Sequence, residues 1–250
     1  MESTPRKSGK AKPGESKFRR VLLKLSGEVF GGSAGIGFDY EVIHSIADQI
    51  GEISGEGISV GLVVGAGNIF RGTRSAPPGM DRISADYMGM LGTIINAIYL
   101  QDVLEQKGVD TRVMTAIEIR AIAEPYIKRR AERHLEKGRT VIFAGGTGHP
   151  FFTTDTAAAL RASEIGADVL IKCTRVDGIY DKDPEKHEGA VRYDRLTYQD
   201  VLSQELQVMD TTAIAFCKDN SIPILVMNIE TKGTLLSVVH GESVGTLVTK

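Results

Sequence analysis

The sequence predicts an α/β fold: a three-layer αβα sandwich around a mostly parallel central sheet. Three observations carry this. Short apolar runs alternate with helix-spaced segments along most of the chain. Several runs stop at glycine clusters, as strands do where a backbone must turn sharply. A hydrophobic fraction of 42% over 250 residues is enough to cover both faces of such a sheet in one large unit.

The elements follow in order. Residues 1–17 are rich in Lys, Ser, Gly and Pro and are expected to form a disordered basic tail. Such a tail is either an arm for an anionic partner or a plain solvated end, and the second is the commoner case. One catalytic domain is expected over residues 18–250. Val21, Leu22, Leu23 and Leu25 form a buried strand that breaks at Ser26-Gly27. Val42, Ile43, Ile46, Ile50 and Ile53 recur at helical spacing between Asp39 and about Ser54. Ile58 to Val64 is a second strand, ending at Gly65-Ala66-Gly67. A long helix is expected over Ala85 to Gln106, closed by Gly108, and then a strand over Asp110 to Thr115. Pro125 is expected to open a charged helix ending near Gly138. Thr140 to Ala144 reads as a strand, Asp155 to Ile165 as a helix and Asp168 to Lys172 as a strand. Late strands at Pro223 to Met227 and Thr246 to Thr249 flank one more helix.

Composition excludes several classes. A net charge of −2 gives no general nucleic-acid-binding surface. Cys173 and Cys217 stand far apart, which fits a reducing cytoplasm better than a disulfide scaffold. The five histidines form no metal-ligand spacing, so no direct protein cage for a metal is expected. No apolar run reaches the roughly 18–20 residues of a membrane span.

Open sheets of this class bind ligands outside the carboxyl ends of their strands, and glycine sits at three of those ends. These are Lys24-Leu25-Ser26-Gly27, Gly65-Ala66-Gly67-Asn68 and Gly145-Gly146-Thr147-Gly148. Glycine lets backbone N–H groups converge on an anion, and a following helix N-terminus adds positive potential. One such loop is better explained as an ordinary turn; three at one sheet edge point to ligand binding, with phosphate the ligand such loops suit. The P-loop spacing and the dinucleotide fingerprint are both absent. Lys24 can set a compact charge against a transferring phosphate, although a snorkelling lysine fits the same position. Arg71 can clamp phosphate oxygens, or form a surface ion pair. Thr154 or Asp155 can cap the helix that follows the third loop.

At these residues the chain resembles the bacterial UMP kinase family, within the amino acid kinase superfamily. The resemblance runs from about Arg20 to Thr249. It rests on Lys24-Leu25-Ser26-Gly27-Glu28, Gly67-Asn68-Ile69-Phe70-Arg71-Gly72, Asp86-Tyr87-Met88-Gly89-Met90-Leu91 and Gly148-His149-Pro150-Phe151-Phe152-Thr153-Thr154-Asp155. Val176-Asp177-Gly178-Ile179-Tyr180 and Val208-Met209-Asp210 complete it.

The resemblance implies transfer of the ATP γ-phosphoryl group to UMP, giving UDP in pyrimidine nucleotide biosynthesis. It implies that Lys24, Leu25, Ser26, Gly27, Gly67 and Arg71 contact the ATP phosphates, and that Thr174, Tyr180 and Asp183 line the adenosine site. Ala66, Asp86, Thr147, Gly148, His149, Pro150, Phe151, Phe152, Thr153 and Thr154 would hold UMP. Lys24, Asp155 and Asp210 would be catalytic, the two aspartates organising the phosphates, magnesium and Lys24. A cytoplasmic homohexamer activated by GTP and inhibited by UTP is implied, with Gly32-Ser33-Ala34-Gly35-Ile36-Gly37 linked to GTP activation. Ala66 stands where many members carry a third glycine, and His149 where some carry Asn. Two other readings remain at this stage: a superfamily kinase acting on carbamate or an amino acid, and a non-catalytic UTP or GTP sensor.

Overall fold

The structure is a computed structural model that describes residues 16–70, 79–184, 186–206 and 208–250. Arg71 and the first fifteen residues of the expected tail lie outside the described residues. The described residues begin at Ser16, and the Lys17 N–H donates to the Val239 carbonyl at 2.8 Å.

The strands are β1 (Arg20–Leu25), β2 (Ser59–Val64), β3 (Thr111–Thr115), β4 (Glu124–Pro125), β5 (Thr140–Ala144) and β6 (Val169–Thr174). After them come β7 (Ile179–Tyr180), β8 (Arg192–Tyr193), β9 (Arg195–Thr197), β10 (Ile224–Asn228) and β11 (Thr246–Thr249). The helices are α1 (Gly27–Phe30), α2 (Tyr40–Gly55), α3 (Arg82–Gln106), α4 (Lys128–Glu136), α5 (Thr154–Ile165), α6 (Tyr198–Ser203), α7 (Thr211–Asn220) and α8 (Thr234–Val239).

Nine strands form one sheet in the order β4-β3-β5-β2-β1-β6-β10-β11-β9. Its pairings are parallel except β10 with β11. Strand β1 is central, with β2 on one side and β6 on the other. The chain therefore leaves β1 in one direction and later returns to its other edge, which makes a cleft at the carboxyl ends.

The pleat divides β1 between two cores. Val21, Leu23 and Leu25 face α2, α3 and α8, whereas Leu22 faces α4 to α7. Lys24 shares the Leu22 side by period two. The same division holds in β6, where Val169, Ile171 and Cys173 join the first core and Leu170 the second. Each fully buried leucine here contributes roughly 1.5–3 kcal/mol.

Two expectations change. Pro125 belongs to the short edge strand β4, paired with Thr115, where a missing N–H costs no ladder bond. The charged helix starts only at Lys128, after an extended Ile127. The cap of α5 is Thr153 and not Thr154 or Asp155: its Oγ1 accepts from the Asp155 N–H at 3.0 Å. Cys173 and Cys217 are both buried and free. No helix among the described residues is long and apolar enough to cross a membrane.

Candidate active site

The site begins with register. In the β1–β6 ladder Lys24 lies directly opposite Lys172, so both side chains rise on the α5 face of adjacent strands. Two ammonium groups this close require an anion between them. Asp155, in the first turn of α5, supplies it. Its Oδ1 lies 2.7 Å from Lys24 Nζ and its Oδ2 3.1 Å from Lys172 Nζ. All three side chains are largely buried. Lys172 also donates to the Val208 carbonyl.

Burial alone would push the Asp155 carboxyl upward, but the two lysines outweigh it and hold it at about 2. Burial also lowers the Lys172 ammonium below 10.5; Asp155 opposes that shift and Lys24 adds to it. The result is a buried triad in which one carboxylate sits between two lysines.

Asp210 stands next to it. As N-cap of α7 it accepts from the Ala213 N–H at 2.8 Å. It also accepts from Thr153 Oγ1, and from Thr156 Oγ1 at 3.0 Å. Thr153 therefore caps α5 and ties it to the cap of α7. Two helix N-termini meet beside the lysines, a place where anionic oxygens are favoured.

Two cavities flank this centre. One, of about 610 Å³, is lined by Lys172, Thr174, Tyr180, Asp183 and Val208. The β7–β8 hairpin forms its wall, and Asp177 braces it by accepting from the Tyr180 hydroxyl at 2.6 Å and from Arg192 at 2.9 Å. The other, of about 350 Å³, is lined by Ala66, Gly67, Asp86, Thr93, Thr147 and Phe152, among others. Between them the turns after β1 and β2 touch backbone to backbone. A Cβ at Gly27 would fall 2.1 Å from the Gly67 nitrogen, so no other residue fits there.

The structure brings Lys24, Asp155 and Asp210 together, and sets Thr174, Tyr180 and Asp183 around one cavity. Ala66, Asp86, Thr147, Phe152, Thr153 and Thr154 share the other. Gly148, His149, Pro150 and Phe151 form the outer arc of the same loop and are outside that lining. Gly67 sits on the Asp86 side and also against Gly27, at the boundary between the cavities. The segment Gly32-Ser33-Ala34-Gly35-Ile36-Gly37 lines neither. Ile36 in it is exposed, while Gly37 is bonded to Asn68.

Asp86 holds the arc in place. It accepts from the Phe151 N–H at 2.8 Å and from Arg82 Nε at 2.9 Å. This supports a residue at φ +73°, a costly angle without glycine.

Sequence reasoning placed Lys172 in a strand but gave it no role. The signal was present: Val21-Leu22-Leu23-Lys24-Leu25-Ser26 is echoed by Val169-Leu170-Ile171-Lys172-Cys173-Thr174. Among the described residues two His–Glu contacts occur, His134 with Glu124 and His240 with Glu56, and neither includes a residue of these two cavities.

A model of the amino acid kinase family matches residues 19–228. The chain is similar to the UMP kinase of Bacillus anthracis, 42% identical with a TM-score of 0.89, over 93% of this chain and 96% of that one. It is similar to the UMP kinase of Ureaplasma parvum, at 36% identity and a TM-score of 0.87, covering 93% and 99% of the two chains. The uridylate kinase of Archaeoglobus fulgidus is 30% identical with a TM-score of 0.70, over 92% and 99%.

Proposed function

The chain belongs to the amino acid kinase family, among its UMP kinases, and from that premise we propose that it transfers the γ-phosphoryl group of ATP to UMP. The observation that carries the reading is the buried triad of Lys24, Asp155 and Lys172 between two cavities. A phosphoryl donor on one side and a phosphate acceptor on the other must meet across it.

In the reaction, an oxygen of the UMP phosphate forms the bond to the γ-phosphorus. The bond from that phosphorus to the bridging oxygen of ATP breaks, and ADP leaves. A nucleotide phosphate has its second pKa near 6, so the acceptor is already nucleophilic at neutral pH and needs no strong base. What it needs is alignment and positive charge. Lys24 and Lys172 supply the charge from the floor. Asp155 keeps both ammonium groups aimed, and Thr153 with Asp210 fixes α5 against α7.

ATP lies on the Thr174, Tyr180 and Asp183 side, with Leu25, Ser26, Gly27, Gly67 and Arg71 toward its phosphates. UMP lies on the side of Ala66, Asp86 and the loop from Thr147 to Thr154. Magnesium would travel with the nucleotide. Asp155 and Asp210 already accept from lysines, threonines and a backbone N–H, so they suit contact with a largely phosphate- and water-held ion better than a protein cage. When bound, the ion neutralises charge on the phosphate oxygens. Residues 18–250 act as one catalytic unit in the cytoplasm, feeding pyrimidine nucleotide synthesis. The enzyme works as a homohexamer, with GTP activating through the segment Gly32 to Gly37 and UTP inhibiting.

The test is an acceptor panel with ATP, in which ADP is measured with UMP, CMP, dUMP, carbamate and amino acids, with and without GTP. ADP formation with UMP is expected to exceed all others. ADP formed best with carbamate or an amino acid would replace the reading, and no ADP with any acceptor would make the chain a sensor.

A further inference from the structure

Helix α3 presents one polar stripe to the site. Asp86 holds the Phe151 N–H, Thr93 Oγ1 accepts from the Gly145 N–H at 2.8 Å, and Asn96 reaches the turn after β2. The last contact is the most constrained. Asn96 is fully buried and Asn68 nearly so. Their amides face each other head to tail: Asn96 Nδ2 donates to Asn68 Oδ1 at 2.7 Å, and Asn68 Nδ2 to Asn96 Oδ1 at 3.1 Å. The second N–H of Asn96 goes to the Gly65 carbonyl at 2.7 Å, and that of Asn68 to the Gly37 carbonyl at 2.8 Å. Gly37 answers with its own N–H to the Asn68 carbonyl at 2.9 Å. All four amide hydrogens and both amide oxygens are used, so each side chain fits in one orientation only.

Neither asparagine lines a cavity, yet the pair grips the turn that lies between the two. The Gly65 N–H is bonded to Leu25 at 2.8 Å, so the turn is held to β1 at one end and to α3 at the other. A Cβ on Gly65 would come within 2.7 Å of the Gly27 nitrogen. A small displacement of this turn would therefore move Gly27 and Gly67 together, at the place where donor and acceptor phosphates must align.

We infer that Asn96, acting through Asn68, is a positioning residue for phosphoryl transfer, setting the Gly65–Gly67 turn against Gly27 and linking it to the loop ending at Gly37. This rests on the kinase reading above. Asn96→Ala, Asn68→Ala and the double variant test it in full-length protein with ATP and UMP. Each single variant is expected to lose at least tenfold in kcat with both KM values within threefold. The unfolding midpoint should fall, since buried partners lose their bonds, but the variants should stay folded at the assay temperature and bind nucleotide at wild-type calorimetric stoichiometry, which excludes a merely inactive fraction. The double variant is expected to lose no more than threefold beyond the worse single one, because the amides act as a unit.

Folded, nucleotide-binding variants that lose less than tenfold in kcat would overturn the inference, as would losses that multiply in the double variant. If Asn96→Ala does not fold, Asn68→Ala decides on the kcat criterion alone. If neither binds nucleotide at full stoichiometry, the pair is a folding element and the inference is wrong. Wild-type protein that makes no ADP would instead overturn the kinase reading, which keeps the two failures apart.

Discussion

Asp155 has a lower pKa folded than its ordinary 3.8, so the fold favours the ionised form. Its contribution to stability is complete above about pH 4 and is lost as pH falls through about 2. Lys172→Met removes one of its two cations, raises the folded pKa and should start acid unfolding at a higher pH. Acid titration followed by circular dichroism checks this, and superimposable curves would refute it. Lys24→Ala should keep the fold and lose about 10²–10³ in turnover, the usual cost of one transition-state donor. Steady-state assay at saturating nucleotide is the measurement, and near-normal kcat would remove Lys24 from the mechanism. Residue identity made Lys24 legible because it precedes Ser26-Gly27. It left Lys172 unread, since no glycine marks it; the echo of the first strand in the sixth hints at it, and the strand register sets it opposite Lys24. Asp210 was visible through resemblance alone, and its hold on Thr153 and Thr156 depends on how α7 packs against α5.

At the scale of elements, α3 connects the site loops through Asp86, Thr93 and Asn96. Asp86→Asn keeps one acceptor oxygen but weakens the clasp on Phe151 and Arg82. It should raise the KM for UMP several-fold more than that for ATP, which a two-substrate titration resolves. The helix also passes very close to the second glycine loop: a Cβ on Gly92 would lie 2.9 Å from the Ala66 Cβ. Gly92→Ala should therefore destabilise by about 1–3 kcal/mol through overpacking. Adding Ala66→Gly should restore most of it in denaturant unfolding, because glycine vacates the contested space. The long periodic helices and apolar strands were readable from spacing. Others were not: α1, β4, β7 to β9 and α6 have too few residues to show a period, the ten-residue α7 was missed as well, and Pro125 carries a helix-opening signal that the sheet edge overrides.

Seen whole, the molecule has one side that is uncovered among the described residues. Tyr87, Leu91, Ile95 and Ile98 on the outer face of α3 are exposed at helical spacing, opposite the stripe that holds the loops. A second copy covering this face fits the proposed assembly. Leu91→Asp with Ile95→Asp should lower the sedimenting mass without unfolding the chain, and an unchanged mass would show that the contact lies elsewhere. The layered sandwich itself was legible, because strand and helix alternation reports layers directly. The facing lysines carry one more consequence, for folding. Slipping β1 by one residue against β6 would turn Lys24 away from Asp155 and into the aliphatic side of α2 and α8. An ammonium group cannot be left there without its counter-ion. The charges proposed to serve turnover thus also act as a proofreading device, rejecting misaligned strands before the domain closes.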